Sequence, residues 1–281
     1  MTSTLPRRGW RTRWRHRRRD ASWRWRLRRA GLVIPAARAR DPAFPDVAVA
    51  TIAVSPLYHD WCLSMIDSLR QPGGFAGPVY VATEDPTPFD AIPGVYPVVV
   101  PPTPSSLVIK TLKPLLHQWL REPRLLFLDA DVLVARPLAP WLVESLPALE
   151  STPVLTFPDV KPVPGSYHTG VLLSSRERAL PLMRRWRRTL RSGRFHIDQG
   201  ALKSIEDASQ LGYFPGHSFA YLNQCIDAPL QPGEGAPACF VHVTKRMIEH
   251  HPRAELAGYV REVLGVRRLP RALADGPPPL A

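Results

Sequence analysis

"RLLFLDADVLVARPL", from Arg124 to Leu138, is an apolar run that reaches two carboxylates one residue apart, Asp129 and Asp131, and then turns apolar again. A strand buried on both faces reads as a continuous Val/Leu run, which places "RLLFL" inside a sheet. A carboxylate buried without a partner costs several kcal/mol, so two together call for a cation. In extended chain, side chains two apart lie on one side, and Asp129 and Asp131 can therefore reach one divalent ion. A hard ion such as Mg²⁺ or Mn²⁺ takes oxygen ligands and often bridges to a diphosphate. A lone D-x-D arises readily on surfaces; its position directly after a buried strand is what gives this one weight. The stretch points to a metal or phosphate site at a strand end.

Outward from this segment, strands alternate with helices. "VAVATIAVS" (Val47–Ser55) is a buried strand, and "LYHDWCLSMIDSLR" carries Leu57, Trp61, Met65 and Leu69 at helical spacing. "GPVYVATED" and "GVYPVVVPP" supply two more strands. "LVIKTLKPLLHQWL" reads as a helix, with Pro114 tolerable only in a first turn. "PVLTF" and "GVLLSS" are strands, and "RERALPLMRRWRRTLRSG" is a helix with a basic solvent face and Gly193 after its end. "IDQGALKSIEDAS" is helical and "CFVHVTK" is a last strand. The pattern predicts an α/β class chain, a single Rossmann-like α/β/α sandwich around a mostly parallel central sheet. Ligands of such sheets sit outside the carboxyl ends of the strands, where "YVATED", "FLDAD" and "FVHVTK" all turn polar.

The formal net charge of +13 suggests an acidic partner until it is located. Residues 1–40 hold 14 Arg, no Lys and a single acid, Asp20, so they carry all of the excess. The other 241 residues have 23 bases and 23 acids. This arm interleaves Arg with Trp10, Trp14, Trp23 and Trp25. Its aliphatic content is too low to fold alone, and residues 1–42 are expected to be disordered, with anionic lipid headgroups or nucleic acid as the surfaces such a composition suits. Residues 43–264 are expected to form the domain and 265–281 a disordered Pro-rich tail. The arm lacks the apolar core of a signal peptide, and no apolar run is long enough to span a bilayer. Three cysteines without a C-x-x-C pair indicate neither a disulfide framework nor a zinc cluster. These features fit a cytoplasmic protein with peripheral contact to the inner face of an anionic membrane as the further option.

Taken together, the motifs resemble the retaining glycosyltransferases of family 8, glycogenin and bacterial sugar transferases among them, which have the GT-A fold. The resemblance covers about 200 residues, from Val47 to roughly His250. A Lys stands 16 residues before the first Asp of that family's D-x-D, as Lys113 does here. The family's "NAGV" or "NTGV" is matched by "HTGV" (His168–Val171), and its "DQ" by Asp198–Gln199. His242 matches its late metal-binding His, and Tyr58 the Tyr that stacks near the nucleotide base. Each motif is short, and their common order carries the likeness.

The resemblance implies a metal-dependent transfer of a hexose from a nucleotide-diphosphate sugar, UDP-glucose or UDP-galactose being usual, with retention of configuration. Asp129, Asp131 and His242 would hold Mn²⁺, or Mg²⁺, and one nitrogen among oxygens favours Mn²⁺. Tyr58, Lys113, Ala130, Thr169 and Gly170 would line the donor site. Asp198 would hydrogen-bond donor hydroxyls and Gln199 lie near the anomeric carbon. The acceptor, a glycan, lipid or protein, has no motif here. Two departures stand out. His168 replaces the family's Asn, and Ile248 stands where a phosphate-binding Lys belongs, leaving Lys245 or Arg246 for that task.

Three other readings compete. A haloacid-dehalogenase-type phosphatase also ends a strand in D-x-D, but expects Thr or Val where Leu133 stands and the motif near its domain start. A nucleic-acid binder would act through the Arg/Trp arm, yet the neutral remainder offers no basic groove and no specific nucleic acid is expected. A degenerate transferase would bind a nucleotide sugar without turnover.

Overall fold

A computed structural model describes residues 10–103, 105–159, 166–195, 197–205, 209–216, 219–222, Cys225, 238–243 and 252–274. Its central sheet has seven strands: β1 (Val47–Ala53), β2 (Val79–Thr83), β3 (Val95–Val99), β4 (Arg124–Leu128), β6 (Val154–Asp159), β7 (Ser166–Ser175) and β8 (Leu211–Tyr213), in the order β3-β2-β1-β4-β7-β6-β8. β3, β2, β1 and β4 run parallel, β7 is reversed against both its neighbours, and β6 and β8 are parallel. The sheet is thus mostly parallel, as expected. A second small sheet joins β5 (Val132–Val134), β9 (Phe219–Tyr221) and β10 (Phe240–His242) in the order β5-β10-β9. The apolar half of the opening stretch after the carboxylates is therefore a strand of this other sheet.

Both faces of the main sheet are covered. Val47, Val49 and Ala53 of β1 and Leu126 and Leu128 of β4 pack on α2 (Pro56–Arg70) and the small sheet. The alternate residues Ala48, Ala50 and Ile52, with Leu125 and Phe127, pack on α3 (Ser106–Trp119) and α5 (Arg176–Arg191). Burial on both sides removes the polar alternation of a one-faced strand, which is why these segments read as unbroken apolar runs. α4 (Leu138–Ser145) and α6 (Asp198–Lys203) are short, and Asp198 opens the latter.

Three expectations are corrected. Pro114 lies well inside α3 rather than in its first turn. The helix continues because Val108, Leu112, Leu115 and Leu116 are all buried, and that packing outweighs the roughly 3 kcal/mol cost of an interior proline. The arm is not disordered over its described length: Trp10–Ala30 form a helix, α1. Trp23 is wholly buried and its indole N–H donates to the Pro101 carbonyl at 2.9 Å. Asp20, 3% exposed, accepts from the Nε groups of Arg24 and Arg191, each at 3.0 Å. Composition averaged over the arm hid one anchoring Trp and one anchoring carboxylate. The chain then stays tied down, with the Tyr96 hydroxyl accepting from the amides of Arg38 and Ala39 and Asp41 from those of Ala43, Phe44 and Ala76. At the other end, α7 (Arg253–Glu262) is followed by Val266, Leu269 and Leu273, which are buried in the core, the last on α8 (Arg271–Ala274). The Arg268 amide donates to Asp67 and that of Arg271 to Asp60, both on α2. The tail is therefore packed as far as residue 274, and 275–281 lie outside the described residues.

Candidate functional site

The site lies where parallel strands end. β4 stops at Leu128 and its ladder with β7 runs to Val171, so Asp129 meets Gly170, whose carbonyl accepts the Asp129 amide at 2.8 Å. Gly170 fits closely here: a Cβ would stand 2.7 Å from His168 Cε1 and 2.8 Å from Asp129 Oδ2, so one of those side chains would have to shift. Reversal of β7 brings His168 and Thr169, at its start, to the carboxyl edge of the parallel strands. α5 then returns along the sheet and delivers Asp198 to the same edge, with the Trp186 indole donating to the Asp198 carbonyl at 3.2 Å.

Lys113, 7% exposed on α3, is the hub. Its ammonium lies 2.8 Å from Asp129 Oδ1 and 2.6 Å from Asp198 Oδ2, and it donates to the Thr169 carbonyl at 3.3 Å. Burial alone would pull its pKa down, but Asp129 and Asp198 outweigh that and hold it above the ordinary lysine value. Asp198 is opposed by the same burial, yet Lys113 above all keeps it well below the usual carboxylate range, and the Thr169 hydroxyl donates to it at 2.9 Å. Asp129 goes the other way. Burial raises it despite Lys113, and Asp131 and Asp198 add to the rise.

Asp131 sits at the turn into β5, and β5 pairs with β10 so that Val132 faces His242. The pairing sets His242 Nε2 3.2 Å from Asp131 Oδ1. Burial disfavours charge on both, and their mutual attraction prevails, lowering Asp131 and raising His242. His242 Nδ1 is 3.1 Å from His168 Nε2. His168, 1% exposed, is pushed well down by burial and is neutral at pH 7. Phe219 packs against it at 4.1 Å between ring centroids, and Tyr221 stacks on His242 at 5.5 Å.

Of the residues expected at the site, Lys113, Asp129, Ala130, Asp131, His168, Thr169, Gly170, Asp198 and His242 gather at this edge. Tyr58, half-exposed at the start of α2, faces it: burial first, then the carboxylates of Asp131 and Asp129, raise its phenol. Gln199 follows Asp198 on α6. Lys245, Arg246 and Ile248 lie outside the described residues. Sequence reading missed Phe219 and Tyr221; the period-two aromatics of "FAY" were the available signal. The Lys113 ammonium, expected at the donor, lies between the carboxylates of Asp129 and Asp198 at this same edge.

Two ligands at right angles, each about 2.1 Å from an ion, lie ~3 Å apart, close to the Asp131–His242 separation. A carboxylate and an imidazole so placed suit one corner of a Mn²⁺ shell. Asp129 is turned to Lys113, and among the described residues no three His, Cys, Asp or Glu side chains form a complete metal-holding group.

No protein-family model and no curated protein matches this sequence. Among solved structures, the galactosyltransferase LgtC, determined with donor and acceptor sugar analogs, superposes with a TM-score of 0.55 at 14% identity, over 79% of this chain and 97% of that one. The apo form of the glycosyltransferase GlyE of Streptococcus pneumoniae gives 0.52 at 15% identity over 70% of this chain. This chain spans only 54% of GlyE, about half its length. At such identities the likeness is one of fold, and the fold is that of GT-A glycosyltransferases.

Proposed function

We propose that this GT-A chain is a glycosyltransferase that moves a hexose from a nucleotide-diphosphate sugar, a UDP-sugar, to an acceptor, with a divalent ion and with retention. The carrying observation is the pairing of Asp131 with His242 beside the Lys113–Asp129–Asp198 cluster at the carboxyl edge of the sheet. Asp131 and His242, with Asp129 released from Lys113, would hold the ion, which supplies Lewis-acid stabilisation of the leaving diphosphate. Asp198 holds Lys113 and the Thr169 hydroxyl on Oδ2, and Oδ1 would accept a donor hydroxyl. So engaged, its carboxylate orients the sugar and is poorly placed to attack the anomeric carbon. Position 199 is an amide and a weak nucleophile. These two features support front-face displacement, with Gln199 steadying positive charge on the ring and the departing diphosphate taking the acceptor's proton. Tyr58 suits a stacking role against the base, and His168, in place of Asn, bears on which sugar is taken.

The test is a thermal-shift series with UDP, UDP-glucose and UDP-galactose, with and without Mn²⁺, on the wild type and on Asp131→Asn. A donor at ~100 times its Kd stabilises the fold by about 2.7 kcal/mol. We expect a Mn²⁺-dependent shift in the wild type that disappears in the variant, together with a fall of orders of magnitude in transfer and donor hydrolysis. A metal-independent shift, or one unaltered in Asp131→Asn, would overturn the ligand assignment. An inverted product would overturn the stereochemistry.

A further inference from the structure

α1 and α5 lie together and pool their arginines. Asp20 of α1 accepts from Arg191 of α5 and from Arg24, and it is the only acid in α1. Burial lowers the Arg187 guanidinium, Arg191, Arg24 and Arg28 add to that, and Asp20 opposes them. Arg24 and Arg191 thus meet on the Asp20 carboxylate at the seam, each at 3.0 Å, with Arg187 and Arg28 beside them. Arg187 Nε is buried with no partner among the described residues. Outward from the seam the charge continues: Arg28 and Arg29 on α1 and Arg184 and Arg188 on α5 are all exposed. Trp25, one turn before the α1 pair, is 58% exposed, with the Arg29 guanidinium 5.2 Å from its ring centroid.

The fold puts this face on the same edge as the site. α5 leaves β7 beside Arg124, at the opposite edge, and its 16 residues run back about 24 Å, so that its second half, where Trp186 donates to the Asp198 carbonyl, lies at the site edge. α1 reaches that edge too. Trp23 and Arg26 donate to the carbonyls of Pro101 and Pro102, just past the carboxyl end of β3.

We infer that α1 and α5 form one basic face that seats the site edge of the molecule on an anionic bilayer. Dense arginine supplies the attraction to lipid phosphates, and an exposed Trp among them suits the headgroup layer. A duplex nucleic acid would use the arginines equally but leave Trp25 without a role. No described helix is long and apolar enough to cross a membrane, so the contact is peripheral. Joined to the transferase reading, on which only this consequence rests, the seating brings acceptors carried at the bilayer surface to the donor pocket.

The test uses the full chain with vesicles of phosphatidylcholine alone or with one third phosphatidylglycerol, at physiological salt. The quadruple variant Arg28→Gln, Arg29→Gln, Arg184→Gln, Arg188→Gln leaves Asp20, Arg191 and Trp23 in place. At about fivefold per arginine, its partition onto anionic vesicles should fall by at least ~100-fold, and Trp25→Ala should weaken partition further. Wild type should ignore neutral vesicles. Equal binding by the variant, no binding by the wild type, or tighter binding to a 20-base-pair duplex than to anionic vesicles would each overturn the inference. Mn²⁺ and UDP-sugar thermal shifts run alongside separate the two proposals. In the wild type, donor binding without vesicle binding refutes the membrane face alone, and vesicle binding without donor binding refutes the transferase reading alone.

Discussion

Lys113→Met removes the cation from the centre of the site while keeping most of the side chain's length. In the structure the ammonium is 2.8 Å from Asp129 and 2.6 Å from Asp198; Asp198 is buried with it, whereas the side chains of Asp129 and Asp131 are partly exposed. Without it, Asp198 keeps the Thr169 hydroxyl and the charge of Lys110, and Asp129 loses its ion pair with Lys113. Breaking a buried pair by deleting one member costs about 3–5 kcal/mol. For a chain of this size each kcal/mol is worth roughly 2 °C, so the melting temperature should fall by about 6–10 °C in EDTA at pH 7.5. Mn²⁺ should then raise the melting temperature of Lys113→Met more than that of the wild type, because the ion substitutes for the missing positive charge. Adding Asp198→Asn to Lys113→Met should recover part of the loss. Scanning calorimetry with and without Mn²⁺ measures all three. A melting temperature within about 1 °C of wild type in EDTA would refute the reasoning, since it would mean that solvent, and not Lys113, balances the carboxylates.

Three further outcomes follow from other parts of the molecule. His117, buried on α3 with Nδ1 2.7 Å from the Ser174 hydroxyl, is pushed down to about 3 by burial, so the unfolded chain takes up a proton near pH 6.5 that the folded chain refuses. Stability is lost as pH falls through that window, by roughly 2 kcal/mol between pH 7 and 5, and urea titrations of His117→Gln should show a correspondingly flatter pH dependence. Gly170→Ala forces a Cβ against His168 and Asp129 and should cost about 1–3 kcal/mol with weakened donor binding; a variant of wild-type stability and affinity would show that the edge yields freely. Trp23→Ala should destabilise by about 3–5 kcal/mol, and a chain starting at Ala43 should melt lower than the full protein in the same calorimeter; equal melting would return residues 10–30 to the status of a dispensable arm.

Local patterns determined much of this protein without the third dimension. The runs in β1, β2 and β4 are apolar throughout because both faces of a parallel sheet are buried, and helical spacing in α2 and α5 marks the covering layers. Asp129 and Asp131 stand out because charge after a buried strand is costly and must be answered. Lys113, His168, Asp198 and His242 were legible as candidates by type and order, but their partners were not. Which carboxylate takes Lys113 depends on α3 crossing behind β4 and on α5 returning Asp198 to the same edge, contacts between residues 16 and 85 positions apart. Only the small sheet brings His242 to Asp131, and Phe219 and Tyr221 enter the site by the same pairing. Pro114 and α1 went against local preference for one reason: buried side chains, Leu112 and Leu115 in one case and Trp23 in the other, outweigh propensity and charge repulsion. Propensity and pattern act over a few residues, whereas the charge balance of this site is set by strands and helices that meet only when the chain has folded.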